Sequence, residues 1–190
     1  QFVFQPSAHN GDEIVWSGKA SLHNPMMDHM GRVWLTHTIR APETPDFCRE
    51  GSNHPSAKLF PVQRSNRHLS VYDPSTEGFS LIDTCFGTHH LQIAEDEDNT
   101  VWASNPGSPV LGWLNMRLFD ETGDEQQAQG WCPFILDTNA NGQQDAYVEP
   151  NEPIDPTKDK RIDGGSYGII PSPVDGSIWV AQGYNVPGAI

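Results

Sequence analysis

The sequence predicts an all-β chain, and three observations predict it. Apolar runs are short, rich in Val, Ile, Trp and Phe, and bounded by Gly, Pro, Asn and Asp, which is the pattern of strands and turns. Helical periodicity is nearly absent. A strand–turn–strand unit closing on Trp also recurs three times within the 190 residues.

The three units are His23–Trp34, His90–Trp102 and Tyr167–Trp179. Each opens on a polar or aromatic residue and runs through a short strand to a turn. Each then ends on an aliphatic residue followed by Trp. The turn pairs Met30–Gly31, Asp98–Asn99 and Asp175–Gly176 suit two-residue hairpins. Behind the first two units comes a second hairpin signal, over Leu69–Ile82 and Leu114–Gly123. Two hairpins per repeat make four strands, the composition of a propeller blade. The same tryptophans would also suit the core of a β-sandwich, but the order hairpin, hairpin, return to the opening residue favours a propeller.

Trp-to-Trp spacings of 68 and 77 residues exceed the usual blade length of about 40–50. Two Pro- and Asn-rich insertions explain the excess, one over about 40–67 and one over about 131–165. Two units are complete, the third stops after its first hairpin, and Phe2–Trp16 is placed to close an earlier one. The expectation is therefore a partial propeller of about three four-stranded blades with long inserted loops. A closed ring has about four to eight blades. The rest would come from the same full-length protein or from other chains, because open edge strands invite pairing.

Composition narrows the function. With 11 Lys+Arg against 25 Asp+Glu the formal net charge is −14, which argues against a nucleic-acid partner and against docking on anionic lipid. Hydrophobic residues make up only 36%, yet 6 Trp, 8 Phe and 4 Tyr suffice for a core. No run approaches the roughly 18 apolar residues of a membrane span. The start, Gln1–Gln5, has neither a basic n-region nor an initiator Met, so the chain is expected to be the mature or an excised part of a longer product.

The strongest local motif runs from Asp137 to Asp145. Asp137, Asn139, Asn141, Gln143 and Asp145, with Gly142 at the sixth place, match the first nine positions of a calcium loop. Alternate oxygen donors can converge there on one hard cation while Gly permits the sharp turn. Position twelve, usually a bidentate Glu, is Val148, with Glu149 one place on. No helical pattern flanks the loop, so it resembles the loops of dockerin or thrombospondin repeats more than a sensor EF-hand. Calcium as a structural ion is the expectation, and a metal-free Asx-turn loop is the alternative.

A second constellation is positional. His23, His90 and Tyr167 occupy matching places at the unit openings and should face one another across a propeller axis, with His89 adjacent. Converging imidazoles can bind a divalent or transition metal, or serve as acid and base. Alternatively they line a solvated channel and bond to each other or to water. His37 and His54 are candidate additions, whereas His9, His29 and His68 read as ordinary surface or turn residues.

No G-x-S-x-G elbow occurs, and no CxxCH or CxxC motif is present. Of the three cysteines, Cys48 and Cys85 flank the first insertion and are one candidate bridge. Cys85 and Cys132 end equivalent units and are the other. Either bridge would indicate a secreted or periplasmic protein.

The unit openings, and Gly165–Trp179 above all, resemble the streptogramin lyase (virginiamycin B lyase-like) propellers. The resemblance covers about a quarter of the chain and implies a seven-bladed ring. For lyase members it also implies a magnesium-assisted elimination that opens an ester-linked cyclic peptide with a histidine base. The large insertions and missing blades depart from that pattern. Function is accordingly expected to be lyase-like or metal-assisted catalysis on a polar, carbohydrate- or peptide-like ligand at a histidine-lined axial pocket. The alternative is a non-catalytic ligand-binding or structural assembly module.

Overall fold

The computed structural model describes residues 11–12, 20–39, 43–65 and 67–182. Phe2–Trp16 and His9, for which the sequence suggests an earlier blade and a surface site, lie outside the described residues apart from Gly11 and Asp12. The structure is built mainly from antiparallel sheets.

The first sheet contains β1 (Ser21–Met27), β2 (Val33–Thr38), β3 (His68–Asp73) and β4 (Gly78–Ile82), hydrogen-bonded in that order. The second repeats the meander with β5 (His90–Ile93), β6 (Val101–Ser104), β7 (Val110–Leu114) and β8 (Gln129–Pro133). Two short strands, β9 (Ile135–Leu136) and β10 (Tyr147–Val148), join β11 (Asp159–Arg161) in a small mixed sheet. The last hairpin pairs β12 (Ser166–Pro171) with β13 (Ile178–Gln182).

β7 alternates, burying Val110, Gly112 and Leu114, whereas β3 buries four successive residues from His68 to Val71 and β1 buries none. Trp34, Leu69, Ile82, Phe86, Val101, Leu114 and Trp131 are essentially fully buried and form one cluster shared by the two four-stranded sheets. Phe86 lies across β7 at Gly112, where a Cβ would come within 1.9 Å of the ring, so only glycine allows that packing. The three repeat tryptophans differ. Trp34 is wholly buried, Trp102 lines a cavity facing Ile170 and Ile178 of the last hairpin, and Trp179 is 65% exposed.

The turns are longer than the expected two residues. The closing hydrogen bonds join Asp28 to Arg32, Ala94 to Thr100 and Ser172 to Ser177, leaving His29–Gly31, Glu95–Asn99 and Pro173–Gly176 between them. The residue that takes the left-handed conformation sits last in each loop: Gly31 (φ 81°), Asn99 (φ 49°) and Gly176 (φ 74°). Asp28 organises the first turn. Its buried carboxylate accepts the Trp34 indole N–H (2.9 Å), the Arg32 guanidinium (2.7 Å) and two main-chain N–H groups, and Arg32 also forks onto Asp120.

A second correction concerns residues 114–123, read as a hairpin. They form the end of β7 and a helix, α2 (Met116–Thr122), started by the Asn115 side chain accepting the Leu118 N–H and stopped by Gly123 at φ 65°. A single turn, α3 (Glu125–Ala128), follows before β8. The helix spans too few residues to show a period of its own.

The first insertion is fastened rather than loose. Cys48 pairs with Cys85, leaving Cys132 as the free cysteine. Helix α1 (Pro55–Leu59) is capped by His54, whose Nε2 also lies 3.1 Å from the Gln126 and Gln129 carbonyl oxygens while its ring stacks on Trp131. The Trp131 main-chain N–H donates to Ser56 Oγ and its indole N–H to the Phe60 carbonyl. Closing 37 residues by the disulfide stabilises the fold by about 4 kcal/mol in the chain-entropy picture. The second insertion holds β9 to β11, since β8 retains the chain through Pro133.

Candidate metal centre

β1 and β5 run beside each other at the border of the two sheets. They are joined by side chains rather than by a regular ladder. The Leu91 N–H donates to Asn24 Oδ1 (2.8 Å), and Thr36 Oγ1 donates to the His89 carbonyl (2.8 Å). One border further on, Ser104 Oγ donates in the same way to the Tyr167 carbonyl (2.6 Å). Thr36 and Ser104 each stand two residues past their Trp, so the two borders use the same joint.

That joint corrects the sequence alignment. Counting back five residues from each closing residue of the hairpin loops, Asp28, Ala94 and Ser172, gives His23, His89 and Tyr167. His89, not His90, therefore matches His23 and Tyr167. The discrepancy arises in the turn lengths, which the sequence does not announce.

The structure nonetheless brings His23, His89 and His90 together. One ligand atom from each lies within 4.8 Å of the others. His23 Nε2 stands 3.3 Å from His90 Nε2, and the His23 and His89 ring centroids are 3.9 Å apart. Two nitrogens bound at about 2.1 Å to a tetrahedral ion stand about 3.4 Å apart, so the His23–His90 pair already spans one edge of such a site. His90 Nδ1 lies 2.9 Å from the Tyr167 carbonyl oxygen, which can only accept. The proton is therefore on Nδ1 and the lone pair on Nε2, facing His23. The buried Nδ1 of His89 has no hydrogen-bond partner among the described residues.

Burial and neighbouring charges favour the neutral form of His89 and His23. Desolvation, then the charges of His23, His90 and Arg67, lower the His89 pKa to about 4. Desolvation, His90 and Arg67 lower that of His23 as well. Neutral imidazole is the form that binds a metal.

Tyr167 borders the cluster through its ring, 4.8 Å from His90 and 5.2 Å from His89. Beyond it opens a groove lined by Asn24, His90, Leu91, Ile170, Trp179 and Ala181.

The other histidines stand apart. His37 is buried in β2 with Nε2 2.8 Å from the Leu69 carbonyl oxygen, and His54 is the fastener of the first insertion, so neither joins the group. His68, expected at the surface, is buried in β3 and its Nδ1 accepts the Thr84 N–H, while His29 is an exposed turn residue as foreseen.

The Asp137–Asp145 loop sits in the second insertion, well separated in sequence from these rings. Asn139 and Asn141 both donate side-chain amides to Asp145 Oδ2 (2.9 and 2.8 Å), and the Gln143 N–H donates to Asn141 Oδ1. Among the described residues, no helix is long and apolar enough to cross a membrane. Comparison with protein-family models, with curated proteins and with solved structures gives no match.

Proposed function

We propose that this chain is a secreted or periplasmic β-propeller portion whose functional centre is a transition-metal site at His23, His89 and His90. The observation that carries the reading is the convergence of three imidazole donors within 4.8 Å, one of them oriented by the Tyr167 carbonyl. Imidazole suits Zn, Cu, Fe or Ni, whereas magnesium prefers oxygen. This donor set therefore favours a borderline metal over the magnesium that a lyase resemblance implies. Three protein ligands would leave a position open, as in catalytic zinc sites, where a metal would supply activation of water or substrate. The chemistry is a metal-assisted reaction on a polar ligand. His23, His89 and His90 would hold the ion, which would supply Lewis-acid activation, and the groove against Trp179 and Ile170 would take the body of the ligand. The four-stranded meanders and the repeated joint between them support the propeller reading. The Cys48–Cys85 bridge supports an oxidising compartment.

The test is cobalt substitution of the chelator-treated chain. Saturable binding of one equivalent with tetrahedral visible bands, lost in the His89→Ala/His90→Ala double variant, is expected. Azide should then shift those bands by entering the open position. Absence of saturable binding sinks the metal site, and bands indifferent to azide sink the catalytic role.

A second reading, a non-catalytic assembly module, is favoured by the exposed Ile170, Val174 and Trp179 on the last hairpin. Concentration-dependent self-association abolished by Trp179→Ser would support it.

A further inference from the structure

The second insertion buries a carboxylate that has no counter-charge among the described residues. Asp159, the first residue of β11, is 0% exposed. Its Oδ2 accepts the Asp145 main-chain N–H at 2.7 Å, and its equally shielded Oδ1 has no hydrogen-bond partner among the described residues. Burying an ionised carboxylate is costly unless a positive group meets it. The adjacent cations are committed elsewhere. Lys158 pairs with Asp155 (3.9 Å), Arg161 pairs with Glu149 (2.8 Å), and Lys160 donates to the Glu149 and Glu152 carbonyls.

The Asp145 N–H ties this carboxylate to the ninth residue of the loop that begins at Asp137. There the Asp137 carboxylate accepts the Asn141 and Gly142 N–H groups, and the Asn139 and Asn141 side-chain oxygens accept the Asn141 and Gln143 N–H groups. Each such oxygen keeps a second lone pair for a cation. The loop lacks an acid at position twelve, where Val148 is buried in β10. However, β10 pairs in parallel with β11 and sets Tyr147 opposite Asp159, which delivers a carboxylate from later in the chain to the same loop.

We propose that Asp159 is the missing acid of a calcium site whose other donors are Asp137, Asn139, Asn141, the Gln143 main-chain carbonyl and Asp145. The donors are all oxygens, with three carboxylates among them, which suits calcium. Magnesium demands stricter octahedral geometry and keeps its waters. The site is independent of the histidine cluster, which offers nitrogen donors.

Calorimetric titration of the chelator-treated chain with calcium chloride tests it. The expected result is one calcium per chain, with affinity falling about tenfold or more in Asp159→Asn, a variant that keeps an acceptor for the Asp145 N–H. No calcium binding by the parent chain overturns the proposal, as does an Asp159→Asn variant that binds like the parent. Should the variant fail to fold, the side-chain carboxyl ¹³C resonance of Asp159 in the parent chain decides. It moves on calcium addition if Asp159 is a ligand, and a resonance that stays fixed excludes it.

Discussion

His90 donates its Nδ1 hydrogen to the Tyr167 main-chain carbonyl at 2.9 Å, across the border between β5 and β12. The bond fixes the tautomer through a group that no side-chain substitution at position 167 removes. His90→Ala should weaken zinc binding by about tenfold or more while changing stability by less than about 1 kcal/mol, since the ring supports little core packing. Competition with a chromophoric chelator and urea unfolding read the two quantities. A variant that unfolds would mean that the ring is a core residue.

Acid should weaken the fold through His89. Above pH 6.5 the group is neutral in both states. As pH falls from 6.5 towards about 4, the unfolded chain takes up a proton that the folded chain refuses, so stability declines progressively. Below about 4 the decline from this group ends. Melting temperature followed from pH 7.5 to 4 should show this slope in metal-free protein and a shallower one in His89→Gln. Parallel profiles would remove His89 as the cause.

Thiol chemistry should separate the three cysteines. Native protein should yield one titratable thiol, Cys132, and it should react slowly because burial raises its pKa. Cys48→Ser/Cys85→Ser should lower stability by about 2–4 kcal/mol by freeing the first insertion. Three reactive thiols in native protein would contradict the bridge.

Asp28 should matter more than its place in a turn suggests. Burial raises its pKa, but the Trp34 indole N–H and Arg32 outweigh burial and hold the carboxyl below its usual value. That contribution is present above the unfolded pKa of 3.8 and is lost as pH falls through the folded value. Asp28→Ala leaves the indole N–H and the guanidinium without their acceptor and should cost about 2–4 kcal/mol in urea unfolding. A loss under about 0.5 kcal/mol would show that the turn tolerates its removal.

Strand positions were legible because Val, Ile and Trp recur at alternate places between Gly and Asn breaks, and the three unit openings led directly to β1, β5 and β12. What stayed hidden has identifiable causes. The Met116–Thr122 helix is too short to show a period and is set by one Asn cap and one Gly stop. The loops differ in length by one or two residues, and that shift moved the repeat match from His89 to His90. His54 and His68 look polar in sequence, yet each is buried because a main-chain group bonds it. Asp159 carried no signal at all: it lies 14 residues beyond Asp145 and is brought back to the motif by the pairing of β11 with β9 and β10 and by the Asp145 N–H.

The joint between neighbouring sheets is a hydroxyl two residues past a tryptophan, and its grammar has a stop. Thr36 grips the His89 carbonyl and Ser104 grips the Tyr167 carbonyl, but the third unit reads Trp179, Val180, Ala181. The Ala181 side chain has no hydroxyl to donate. The latch is thus a property of the first two units alone among the three, and a neighbour of the third would have to be held by a different device.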